Sequence, residues 1–157
     1  MTLNALGIPV TGPYTAYTPS LSGSSSNPTL GAGSSATGYY SQQGKRVWGY
    51  GQIVFGSSGT NAGSGFYGVA LPVEPINRDV PIGTGFMVDA SDSYRIELTA
   101  LAVAISFWAS ATSKGIFHVS TGAGAGVLTG ATPVGAASPW VWDAGDIIGF
   151  QFDYEAA

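Results

Sequence analysis

The sequence predicts an all-β fold, a β-sandwich of jelly-roll type with about eight to ten strands. Short apolar and aromatic runs alternate with a period of two, the mark of strands that bury one face. Turn-forming clusters of Gly, Ser, Asn and Asp separate these runs at close spacing, and the chain holds 24 Gly. Only 9% of residues are charged while 12% are aromatic, which disfavours long solvent-facing helices.

The pattern is clearest at the end of the chain. Ile148, Phe150, Phe152 and Tyr154 share one face of an extended segment, and Ile147, Gly149, Gln151 and Asp153 share the other. Asp143-Ala144-Gly145-Asp146 suits a tight turn ahead of it. Trp140 and Trp142 have the same parity as the aromatic face, so the strand pattern is expected to resume before the turn, from Pro139. A lone hairpin is marginal in water, so this terminal strand is expected at the centre of a sheet built by the earlier chain.

A length of 157 residues sets one domain with a true core. Two parts are expected within it: an extended N-terminal arm over 1–36 and the sandwich over 37–157. The segment SLSGSSSNPTLGAGSSATG has too little apolar surface to fold by itself. It reads equally as a flexible linker or as an arm that orders across a neighbouring chain. Leu3, Leu6, Ile8, Val10, Tyr14 and Tyr17 would anchor such an arm.

Next, Gly38 to Val47 suggests two strands meeting at a hairpin corner at Gln43-Gly44. Val47 to Phe55 alternates, with Trp48, Tyr50, Gln52 and Val54 on one face. Gly49 and Gly51 on the opposite face leave room for another backbone or a large ring. Residues 56–65 are almost pure turn composition, Phe66 to Leu71 is a short strand, and Pro72 and Pro75 stop it. Pro81 to Asp89 is a further strand; its Gly83-Thr84-Gly85 lacks the third glycine and the helix of a phosphate loop.

Tyr94 to Trp108 fits two templates. Tyr94, Leu98, Leu101, Ile105 and Trp108 form a helical stripe with Ser91 or Ser93 as cap. The β-branched and aromatic content favours strands instead, with the apolar parity switching at a bulge near Thr99-Ala100. Gly115 to Ser120 is another strand, and the glycine-rich stretch to Ser138 is loop with one small strand at Gly126 to Leu128.

Several chemistries are disfavoured by the residues themselves. With no Cys, disulfides and thiolate metal sites are excluded. The five basic residues are scattered, which argues against a nucleic-acid groove. No run of about eighteen apolar residues suggests membrane insertion, and the N-terminus lacks the features of a secretory signal. His118 has no Cys partner and reads as a structural strand histidine rather than a base. The nine carboxylates form no local pair of glycosidase type. Asp89-x-x-Asp92 and Asp143-x-x-Asp146 suit turns better than calcium. The chain is therefore expected to be no enzyme, with no catalytic residue, cofactor or metal.

The aromatics are the remaining functional feature. Tyr39, Tyr40, Trp48, Tyr50, Phe66 and Tyr67 lie beside glycine-rich loops, and Tyr39, Tyr40 and Tyr67 are the candidate glycan contacts. A net charge of -4 on a chain with mean hydropathy +0.22 suggests apolar surface buried against other subunits.

Several segments in order also resemble a known family. They are Tyr17-Thr18-Pro19, Asn27-Pro28-Thr29-Leu30-Gly31, Gly38-Tyr39-Tyr40 and Gly44-Lys45-Arg46-Val47. Phe55-Gly56, Gly63-Ser64-Gly65, Leu71-Pro72, Pro139 to Trp142, Gly145 to Ile148 and Tyr154 to Ala157 follow. Together they resemble short domains of tailed actinobacteriophages that occur as small virion proteins and as C-terminal modules of minor tail proteins. The resemblance omits roughly the first fourteen residues and 92–130. It implies a structural virion protein assembled in the host cytoplasm, with capsid (head) decoration favoured and a glycan-binding tail-fibre or minor tail protein as the alternative. Gly145-Asp146 before the terminal apolar strand is also similar to the last strand of trimeric C1q and tumour-necrosis-factor jelly rolls, which implies a homotrimer. The expected partners are the major capsid protein or tail proteins and host surface glycan. Leu3, Leu6, Ile8, Tyr14, Tyr17, Trp140 and Trp142 are the expected oligomer or virion contacts.

Overall fold

The apolar C-terminal strand lies between two others, as its aromatic face requires. The computed structural model describes residues 13–76, 81–92, 94–96, 103–109, 114–122 and 128–157. Among them there is no helix. The strands are β1 Thr15–Tyr17, β2 Leu21–Gly23, β3 Ser35–Gln43, β4 Arg46–Val54, β5 Tyr67–Ala70 and β6 Pro81–Asp89. They continue with β7 Tyr94–Ile96, β8 Val103–Ala109, β9 Lys114–Gly122, β10 Leu128–Pro133 and β11 Ile147–Glu155. The order across the sheet is β1-β3-β4-β11-β6-β8-β9-β5-β2, with β7 beside β6 and β10 beside β9. Every strand pairing among the described residues is antiparallel.

The sheet closes over one core. Leu21 of β2 and Tyr67 and Val69 of β5 share a buried cluster with Val47 and Ile53 of β4 and Ile148, Phe150, Phe152 and Tyr154 of β11. Residues from opposite ends of the strand order thus meet inside, which is consistent with a β-sandwich. Burying each of the β11 rings contributes about 1.5–3 kcal/mol.

The alternation read in β4 is present, and its glycines have the expected use. A Cβ on Gly51 would stand 2.5 Å from Cζ of Phe150, and one on Gly49 would stand 2.7 Å from Cζ of Phe152. The bare backbone of β4 is what lets the β11 rings lie against it. Gly44 turns the β3-β4 hairpin at φ 59°, where a side chain is disfavoured.

The expected arm is, in its described part, laid onto the same chain. β1 pairs with β3, β2 pairs with β5, and Ser26, Thr29 and Ala32 bridge to Ser64, Asn61 and Ser58. Thr15–Tyr17 and Leu21–Gly23, both ahead of the expected boundary at 37, are thus strands of the same sheet. Two polar segments, each too poor in apolar residues to fold alone, satisfy each other's backbone groups. Leu3, Leu6, Ile8 and Val10 lie outside the described residues.

Both ends of the ambiguous segment are strands: β7 and β8 each pair with β6. The expected bulge at Thr99-Ala100 lies outside the described residues. Of the small strand expected at Gly126 to Leu128, Leu128 begins β10, Leu128–Pro133, which pairs with β9, and Gly126 and Val127 lie outside the described residues.

The expected strand through Trp140 and Trp142 is corrected. Those residues make no strand ladder, and their indole rings are held by contacts elsewhere in the fold. Trp142 turns into the core, stacks on Phe55 at 5.6 Å and donates its indole N–H to the Gly135 carbonyl at 2.9 Å. Asp146 accepts the Trp140 indole N–H at 3.2 Å and the Asp143 N–H at 3.0 Å.

Candidate functional site

The outward face of β3, β4, β11 and β6 carries the side chains that the core does not use. In the β3-β4 register Tyr39 stands opposite Tyr50, and Thr37 opposite Gln52. In β11, Gln151 stands opposite Tyr50 and Gly149 opposite Gln52. On the far side Gln151 meets Thr84, and Gly149 meets Phe86. Two rows therefore cross four strands: Tyr39, Tyr50, Gln151, Thr84, and Thr37, Gln52, Gly149, Phe86.

These rows border an open groove of about 480 Å³, floored by Gly51, Gly85 and Phe150 of the intervening positions. Directly opposed side chains on an antiparallel pair come within contact range, so the tyrosines meet. Their ring centroids are 5.6 Å apart at 37°. Tyr14 adds an edge contact to Tyr50, also at 5.6 Å. All three rings stay open to solvent, with Tyr39 at 41%, Tyr50 at 49% and Tyr14 at 48% exposure. On the opposite wall the Gln151 amide donates to the Thr84 hydroxyl at 2.8 Å.

Among the described residues no charged side chain lines the groove. One row beyond it, Arg46 donates from Nε to Asp153 at 3.0 Å, and its guanidinium sits 5.5 Å from the centre of the Trp48 ring. That exposed pair neutralises itself. The groove thus offers aromatic faces and neutral hydrogen-bonding groups. Among its described residues no nucleophile stands beside a base.

The structure sorts the candidate aromatics by strand face. Tyr39 is on the groove. Tyr40, next in sequence, points the other way and packs edge-on against Tyr17 at 5.9 Å. Tyr67 is fully buried and donates its hydroxyl to the Ala62 carbonyl at 2.7 Å, so it cannot touch a glycan. Trp142 is likewise buried and Trp140 half-buried, while Tyr17 lies over Gly38 and beside Phe152. Of the described candidates for oligomer or virion contact, Tyr14 alone is openly exposed.

Tyr50, Gln52, Thr84, Phe86 and Gln151 belong to the groove without having been singled out as contacts. Their signal was the polar and aromatic parity opposite Gly49-Gly51 and opposite Phe150-Phe152. His118 stands opposite Ser106 in the backbone register.

The two Asp motifs serve turns. Asp89 accepts from the Ser91 hydroxyl at 2.7 Å and from the Ser91 and Asp92 N–H groups at 3.0 and 3.2 Å. These bonds, the hydroxyl first, hold its carboxyl below the usual aspartate range. Buried Asp146 accepts from Ala90, Asp143 and Trp140 and so ties three segments together. Among the described residues no three acidic or histidine side chains gather as a metal would need.

No protein-family model, curated protein or solved structure matches the chain.

Proposed function

We propose that this chain is a non-enzymatic structural protein on the outer surface of a tailed bacteriophage virion, of the capsid-decoration type. In this reading the sandwich is a jelly roll that assembles as a homotrimer. Its virion contact falls to the N-terminal residues, Leu3, Leu6 and Ile8 among them, against the major capsid protein or a tail protein. The observation that supports a contact function is the outward sheet face, where solvent-open tyrosines border a groove whose described lining carries no charge. Surface of this kind works by adhesion.

A second reading is a tail-fibre or minor tail protein that attaches to host surface glycan. The groove favours it specifically, because a shell contact alone does not require an open cleft of aromatic rings and amides.

Immunogold labelling of intact virions of the encoding phage, with antibody raised against this chain, tests both. Label spread over the heads supports decoration, label at the tail or its tip supports attachment, and unlabelled particles overturn the virion assignment.

A further inference from the structure

We propose that the groove over β4, β11 and β6 binds a neutral, hydroxyl-rich pyranose oligosaccharide, stacked on Tyr50 and Tyr39 and hydrogen-bonded by Gln52, Gln151 and Thr84.

The rings come first. The face of an aromatic ring carries negative potential and attracts the weakly positive C–H face of a pyranose, while sugar hydroxyls remain at the rim. Tyr39 and Tyr50 are adjacent, tilted by 37° and about half open, so together they form a bent platform rather than a core contact. The edge contact from Tyr14 supports Tyr50.

Polar groups supply direction. Gln151 uses one amide hydrogen on Thr84 and retains a second hydrogen and a carbonyl oxygen for vicinal hydroxyls. Gln52 lies one row away on the same face. Both project from paired strands, and a hydrogen bond already holds Gln151, so little ordering is needed on binding.

Charge and shape choose the ligand class. With no ionised side chain among the described lining residues, an anionic or cationic ligand would lose water there without gaining a partner. A neutral polyol meets matched groups. The volume of about 480 Å³ lies within the usual range for small-molecule sites. The ring of Phe86 lies over Gly149 and closes one side of the groove with an apolar wall. The source, a glycan of the host cell surface, rests on the attachment reading above, whereas the groove chemistry does not.

The test is a glycan array of neutral hexose and N-acetylhexosamine oligomers and of uronic acid oligomers, probed with the full chain, followed by calorimetric titration of the best neutral trisaccharide. Expected is a Kd of about 1 mM or tighter for the neutral ligand, with uronic acid oligomers at least about tenfold weaker. Tyr50→Ala should weaken binding about tenfold or more, and Gln151→Ala should weaken it as well. Tyr50→Phe, which keeps the ring face, should bind nearly as the parent does. Both sites are exposed, and matching thermal melts check that each variant folds. No neutral ligand on the array, equal binding of uronic acids, or unchanged affinity in Tyr50→Ala would overturn the proposal. So would a Tyr50→Ala chain that binds no glycan and loses oligomer mass by light scattering, since the face would then be a seam between copies. Failure here leaves the virion-labelling result standing.

Discussion

The ring of Phe86 occupies the space that a side chain on Gly149 would need, across the β6-β11 pair. The absent side chain gives Phe86 its position, and Phe86 then forms one wall of the groove. The same strand pair has a second close approach with a different cause. A Cβ on Gly83 would stand 2.8 Å from the carbonyl carbon of Gln151 and nearer still to its oxygen. One glycine makes room for a ring that can rotate, the other for a backbone that cannot.

That difference predicts unequal costs. Gly149→Ala should lower stability by about 1 kcal/mol and displace Phe86. Gly83→Ala should cost about 2–3 kcal/mol, because β6 must separate from β11. Urea denaturation of both variants decides it, and equal losses would refute the distinction.

Asp146 should be intolerant even of a conservative change. Its two oxygens accept from Ala90, Asp143 and Trp140, and its residue is 1% exposed. Asp146→Asn presents an amide N–H to one or more of these donors and should cost about 1–3 kcal/mol. Thermal melts measure the loss, and quenched or shifted tryptophan fluorescence would report release of Trp140.

Tyr17 has a buried hydroxyl with no hydrogen-bond partner among the described residues. Tyr17→Phe removes that unmet group while keeping the ring over Gly38 and against Tyr40 and Phe152. It should leave stability unchanged or raise it by about 1 kcal/mol, or about 2–4 °C in Tm. A clear loss of stability would mean that the hydroxyl is satisfied.

Burial pushes the Tyr17, Tyr67 and Tyr154 hydroxyls well above the ordinary tyrosine value. Near Tyr154 the Val73 backbone opposes this shift and Tyr40 adds to it. In the unfolded chain these groups ionise near pH 10, so their contribution is complete below that pH and is lost as pH rises above it. Alkaline titration followed at 295 nm should show these tyrosines ionising together with loss of near-ultraviolet circular dichroism. Ionisation of all tyrosines before unfolding would contradict their burial.

Asp89 predicts the acid limb. Its carboxyl lies below the ordinary value of about 3.9, through the Ser91 hydroxyl bond above all, so its contribution is present above that pH and is lost as pH falls further. Stability measured from pH 6 to pH 2 should therefore fall less steeply in Asp89→Asn than in the parent. Parallel curves would remove Asp89 from the acid response.

Much of the architecture was legible because strand periodicity is a local property. β6 runs over the expected Pro81–Asp89, the Gln43-Gly44 corner turns a hairpin, and the aromatic C-terminal strand sits between β4 and β6. Gly49 and Gly51 receive rings, as the missing side chains implied. The fate of the individual aromatics was not legible. Tyr39 and Tyr40 are neighbours on opposite faces, and alternation alone does not say which face is inside. That depended on Tyr17 returning to cover Gly38 and Tyr40.

The sequence by itself determined that the chain is all-β, where most of its strands run, and that the terminal strand needs neighbours on both sides. Only the tertiary structure decided which residues form the groove. Gln151 lies 67 positions from Thr84 and meets it through the β11-β6 register, while Tyr50 reaches Gln151 through the β11-β4 register. Registers between strands so distant in sequence follow from how the whole core packs, and no local pattern encodes them.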